Sequence, residues 1–221
     1  MKNNQKLNKK SIILVVLAIL LGTVLVGRTI AWLTRTSTLT NTFTVGDIKV
    51  PTTAPNEPTN TISLDGNLYE PSWDASAEHK LVPGQTFAKD PYVGIGAGSE
   101  DAVVYVYVEN NFSNKVYFTI NNGWEAVEAT SGYAPNTYTS GLFKYTAGLS
   151  GATSGDVWTT NPLFNNVVVD DTAGITDLTV ESTANTEIVV SSFIHQANGG
   201  DGQAIDEASI LESAKDAFNI E

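Results

Sequence analysis

Few residues in this chain could do chemistry. Cysteine is absent, and the two histidines are His79 and His195. A catalytic zinc needs three protein ligands and an open position, and a common helical signature for it is H-E-x-x-H. Glu78-His79 is a bare dipeptide in a stretch that reads as loop, and His195 falls in an apolar run that reads as strand. Zinc hydrolysis is therefore the weaker reading. No thiol exists and no serine sits in a G-x-S-x-G elbow, so nucleophilic catalysis lacks its parts as well. Asp170-Asp171 and the group Asp201, Asp206 and Glu207 could gather oxygens around calcium, but neither follows the spacing of an EF-hand loop. Glycines 94, 96 and 98 come close to a phosphate-binding loop, yet position 99 is Ser and the G-x-G-x-x-G spacing is not met. That stretch reads as a flexible hairpin end. The expectation is a protein that is not an enzyme and holds no cofactor, structural calcium at the acidic groups being the one exception kept open.

The elements around these residues begin with a leader. Residues 1–10 carry four lysines and no acid, and residues 11–26 form an apolar run of 16. Thr29 and Ala31 then place small residues at the −3 and −1 positions of a cut before Trp32. A basic start, an apolar centre and a small-residue site describe a secretory signal peptide, residues 1–31. The apolar run falls short of the about 20 residues that span a bilayer, so contact with a membrane is expected only through the uncut leader. Without residues 1–31 the chain keeps 7 basic and 24 acidic residues, a net charge of −17. Such a surface repels nucleic acid and anionic lipid. An exported chain with no disulfide must be held by a sufficient core or by assembly.

The body reads as strands. Residues 32–50 form an almost uncharged arm and a first strand, with Phe43 and Val45 on one face and a bulge at Gly46-Asp47 that returns Ile48 and Val50 to the core. Residues 51–60, with Pro51, Pro55 and Pro58, read as an exposed linker. Residues 61–221 read as one domain. Its clearest strand is 102–109, where Val104, Val106 and Val108 alternate with Tyr105 and Tyr107. Pro83-Gly84 suits a type II turn, and Asn121-Asn122-Gly123 suits a turn joining a strand over 115–120 to a partner over 124–127. Residues 129–161 read as an excursion of hairpins and loops, with short strands over 142–145 and 156–158. Strands over 163–170, 177–181 and 187–196 complete the set, the last of them central. Ile210, Leu211, Ala214, Ala217 and Phe218 recur at helical spacing over 206–218, with Glu207 early and Lys215 late as the helix dipole favours. The fold class is all-β: an antiparallel, jelly-roll-like β-sandwich with loop insertions and a C-terminal helix, preceded by a cleaved signal peptide.

Ala31-Trp32-Leu33-Thr34, followed by the TNTFTVG run of residues 40–46, resembles the leader and mature start of the TasA/camelysin family. The pattern of Pro83-Gly84, Lys89-Asp90-Pro91, Val93, Asp101-Ala102 and Val104, Val106, Val108 resembles that family again. One departure is Arg28, where such leaders carry glycine or another small residue. The resemblance implies cleavage between Ala31 and Trp32 by a signal peptidase of the SipW type. It further implies a secreted structural subunit of fibres on the cell surface or in the biofilm matrix of a Gram-positive bacterium, with other copies or a related fibre subunit as partners. Assembly would proceed by donating the new N-terminal strand to the sheet of the next subunit, with Trp32, Leu33, Leu39, Phe43 and Val45 setting the register. The alternatives are that the arm stays as the first strand of its own sandwich, that the chain is a camelysin-like surface metallopeptidase, or that it is a non-polymerising accessory or anchor protein.

Overall fold

The computed structural model describes residues 42–64, 66–73, 81–152, 154–174, 177–178, 187–199 and 201–220. Signal-peptide residues, the proposed cut at Ala31 and Trp32 (with Thr29), and arm residues Leu33 and Leu39 lie outside them. The described strands are β1 Thr42–Val45, β2 Thr53–Ala54, β3 Glu57–Thr61, β4 Leu68–Tyr69, β5 Thr86–Ala88, β6 Tyr92–Ile95 and β7 Ala102–Asn110. They continue with β8 Val116–Phe118, β9 Trp124–Ser131, β10 Tyr138–Tyr145, β11 Val157–Trp158, β12 Asn166–Val169 and β13 Ile188–Gln196. The helix α1 spans Glu207–Phe218.

The alternation of β7 decides the architecture. Val104, Val106 and Val108 turn inward to a core that also takes Ile188, Val190 and Ile194 from β13, Phe143 from β10, and Val116, Phe118, Val167 and Val169 from β8 and β12. Its tyrosines face the other way. There Tyr105, with Leu142 and Phe193, is covered by Ile210 and Ala214 of α1, and Phe218 stacks on Tyr107 at 5.3 Å between ring centroids. The expected helix is therefore present and packs on the sheet. Asp206 caps it by accepting from Ser209 N at 3.3 Å, and Asn219 ends it in the left-handed region at φ 55°. Tyr105 is 1% exposed. Burial chiefly, with Glu207 and Glu125 nearby, pushes its phenol up to about 12. Tyr105 therefore presents no open surface to a ligand.

The large sheet runs β1-β13-β7-β10-β8-β12-β5, with β9 pairing β10 off that path. It curls, because β10 pairs β7 over Gly141–Lys144 and β8 only at Tyr138↔Phe118. All its pairings are antiparallel except one: β1 runs parallel to β13. A second sheet, β11-β6-β4, gives Leu68, Val93 and Ile95 to the same core.

Several expectations are corrected. β9 pairs β10 and not β8, although the turn before it has the expected positive φ, 91° at Gly123. Residues 129–161 are no mere excursion, since β10 lies between β7 and β8 in the main sheet. Ile48 packs half-buried on the core, but Val50 is exposed. Residues 177 and 178 form no strand, and 179–181 lie outside the described residues. The glycines at 94, 96 and 98 are not a slack hairpin end. A Cβ at Gly94 would stand 2.5 Å from the Trp158 ring, and one at Gly96 would meet Val50 O at 2.3 Å, so close packing demands glycine at both.

The expected linker is a hairpin. β2 and β3 pair through a turn at Asn56, φ 60°, and Pro58 is accommodated because this ribbon is two strands wide and its second strand is exposed. Asp156 ties the ribbon to the body. Its Oδ2 accepts from Thr52 N (2.7 Å), Thr53 N (2.7 Å) and both threonine hydroxyls, and its Oδ1 accepts from Ala97 N at 3.1 Å. Desolvation pushes the Asp156 carboxyl up, but these hydrogen bonds outweigh it and hold the pKa below the ordinary 3.8. A depressed folded pKa stabilises the fold above the unfolded value and loses that contribution as pH falls through the folded value. Asp156→Ala is thus expected to cost about 2 kcal/mol at neutral pH. In urea unfolding the deficit against wild type should shrink as the pH drops below 4; a pH-independent deficit would contradict the assignment.

Candidate functional site

The chain reaches the body through residues 47–50, and that segment is firmly tied. Gly96 N donates to Lys49 O at 2.8 Å and Asn67 Nδ2 donates to the same oxygen at 2.9 Å. Lys49 N donates to Ser99 Oγ at 2.9 Å, Lys49 Nζ to Gly98 O at 3.0 Å, and Glu100 N to Asp47 O at 3.2 Å. Gly46 precedes this anchor with φ 98°, a conformation that side chains resist, and a Cβ there would meet Gln196 Oε1 at 2.1 Å. Gly46 is therefore a position that only glycine fits, with the tied segment after it and β1 before it.

β1 occupies one edge of the large sheet. Its register on β13 is Thr42↔Ser192, Phe43↔Phe193, Thr44↔Ile194 and Val45↔His195. Two of the expected donor-strand residues, Phe43 and Val45, thus pair within their own chain, whereas Trp32, Leu33 and Leu39 lie outside the described residues. The pairing is parallel and four residues long. By contrast, β13 meets β7 on its other side through nine consecutive antiparallel pairs. Parallel pairing is slightly weaker per residue, so β1 is the lesser of the two neighbours of β13.

Another edge is differently made. β9 pairs β10 with two register shifts, and its outer residues are charged. Glu128 accepts from Lys215 at 3.0 Å, across to α1, and Glu125 lies 3.9 Å from Lys144. Bulges and paired charges on an edge discourage addition of another strand. Gly141 of β10, φ 131°, permits that distortion: its Cβ would clash with Glu128 O at 2.3 Å.

Among the described residues the candidates for catalysis and metal binding are not brought together. His195 lies in β13 with Nδ1 2.7 Å from Gln196 O. His79 lies outside the described residues. Asp170 Oδ1 accepts from Thr172 N and Oγ1, and these bonds first, with Tyr117 and Lys115 adding to them, hold its carboxyl below the usual value. Asp171 is exposed beside it. Asp201 Oδ1 accepts from Gln203 N, Asp206 caps α1, and Glu207 pairs with Lys144. Among the described residues no group of three or more His, Asp or Glu stands where it could hold a metal ion. No described helix is long and apolar enough to cross a membrane.

The alternation of Phe43 and Val45 marks a strand, which is present as β1, but the bulge expected at Gly46-Asp47 is instead a positive-φ glycine packed on Gln196. The tie through Asp156 left no sign in the sequence, since Asp156 is a lone acid in a Gly/Ser-rich stretch with no pattern around it. Comparison with family models, curated proteins and solved structures finds no match to this chain.

Proposed function

We propose that this chain is a secreted structural subunit of cell-surface or biofilm-matrix fibres, a jelly-roll-like β-sandwich joined head to tail by its N-terminal strand. The observation that carries the reading is the weakly held edge strand: β1 pairs parallel over four residues, set off by the positive-φ Gly46, at the end of the sheet that continues into the almost uncharged arm. The leader and the TNTFTVG run add the family resemblance.

In this reading β1 leaves its own β13 and pairs with β13 of the next copy in the same register. Exchanging one identical strand for another conserves the main-chain bonds, so it costs little. The arm, with Trp32, Leu33 and Leu39, then adds contacts with the neighbour, and these favour exchange. A head-to-tail contact that does not close yields a filament. An uncut leader would hold the arm at the membrane, which makes cleavage between Ala31 and Trp32 the switch for assembly. No reaction is assigned to the chain. Deleting residues 32–42 from the mature protein is expected to leave folded monomers, seen by circular dichroism and sedimentation, with no filaments in electron micrographs. Filaments of normal length from that variant would overturn the reading.

A further inference from the structure

Lys89 and Glu70 form a buried ion pair. Their side chains are 3% and 2% exposed, and Lys89 Nζ lies 2.8 Å from Oε1 and 2.8 Å from Oε2 of Glu70. Equal distances place the nitrogen symmetrically on the two oxygens, which puts it about 3 Å from the carboxyl carbon, close enough to react once the amine swings over the carboxyl face. The Trp73 ring closes one side, its centroid 4.8 Å from Nζ. Oε1 has no hydrogen-bond donor among the described residues beyond that contact with Lys89. Asp90 does not compete for the amine, since its two oxygens accept from Ser72 N and Ser72 Oγ, each at 2.8 Å. A desolvated ion pair with so few supporting bonds is costly to hold, and removing both charges relieves that cost.

We propose that Lys89 and Glu70 condense to an intramolecular isopeptide bond, a covalent staple in a chain that has no cysteine. One ammonium proton passes to the carboxylate, leaving an amine and a carboxylic acid. The amine lone pair attacks Glu70 Cδ and forms the C–N bond. A second proton then moves from nitrogen to the hydroxyl, the C–OH bond breaks, and one water leaves. Nothing is oxidised or reduced, and no co-reactant is needed. In water, hydration of the two ions opposes this condensation. In the dry pocket that opposition is gone, and the fold has already brought the groups together. The bond would close the connection between residues 70 and 89 as a disulfide would.

Intact-mass measurement of the purified protein in denaturant, with its N-terminus assigned from the same sample, tests this. The expected mass is that of the sequence less one water, and a tryptic digest should yield one branched peptide joining residues 70 and 89. Lys89→Arg is expected at its full sequence mass. A wild-type protein at full mass, with the two peptides separate after prolonged incubation in the folded state, would overturn the proposal. The wild-type digest decides the matter whether or not Lys89→Arg folds.

Discussion

Phe118→Ala is expected to lower stability by about 3–5 kcal/mol, the range for truncating a buried aromatic. In a domain of this size that should bring the melting temperature down by roughly 10 °C. The residue carries this weight because the large sheet turns on it. Phe118 is the β8 partner of Tyr138 on β10 and of Val167 on β12, so it stands where the curled sheet changes neighbours. Its ring lies 4.3 Å from that of Phe164 and 5.6 Å from that of Phe143, and it is fully buried. Truncation opens a cavity bounded by three strands, none of which can collapse into it without breaking its own ladder. Val82→Ala, at a residue 51% exposed, should change stability by less than about 0.5 kcal/mol. Urea unfolding of the two variants side by side checks the contrast, and equal effects would contradict the placement of the core.

What could be read from the sequence was the part fixed by local pattern. The alternation of Val104, Val106 and Val108 with Tyr105 and Tyr107 assigns faces without reference to partners, and both faces are buried as that pattern requires. The capped α1 and the Gly84 turn, φ 78° with Gln85 N donating to Val82 O at 3.0 Å, are equally local. Partner choice was hidden. The second half of β10 reads as a short strand over 142–145, but its first half holds Thr139, Ser140 and Gly141, whose composition suggests a loop, and nothing local places it between β7 and β8. The β2–β3 ribbon was hidden by its prolines, which rule out a central strand but not an exposed pair. The parallel pairing of β1 with β13 left no trace at all, because alternation specifies a face and never the direction of the neighbour.

That pairing also supplies the means to test assembly. Thr42 and Ser192 are direct partners across β1 and β13. Their replacement by cysteine is close to isosteric, and neighbouring strands lie at a spacing a disulfide can bridge. Since the chain has no other cysteine, any disulfide formed involves these two positions alone, and a digest tells a 42–192 link from a 42–42 or 192–192 link between copies. Monomers of the Thr42→Cys, Ser192→Cys variant should oxidise within one chain and then fail to polymerise, because β1 can no longer leave. The most direct measurement is the converse: assemble filaments from the reduced variant, oxidise them, and separate the chains in denaturant without reductant. Strand exchange predicts a ladder of covalent multimers, each link joining Cys at position 42 of one copy to position 192 of the next. Oxidised filaments that dissolve into single chains carrying the internal bond would contradict it.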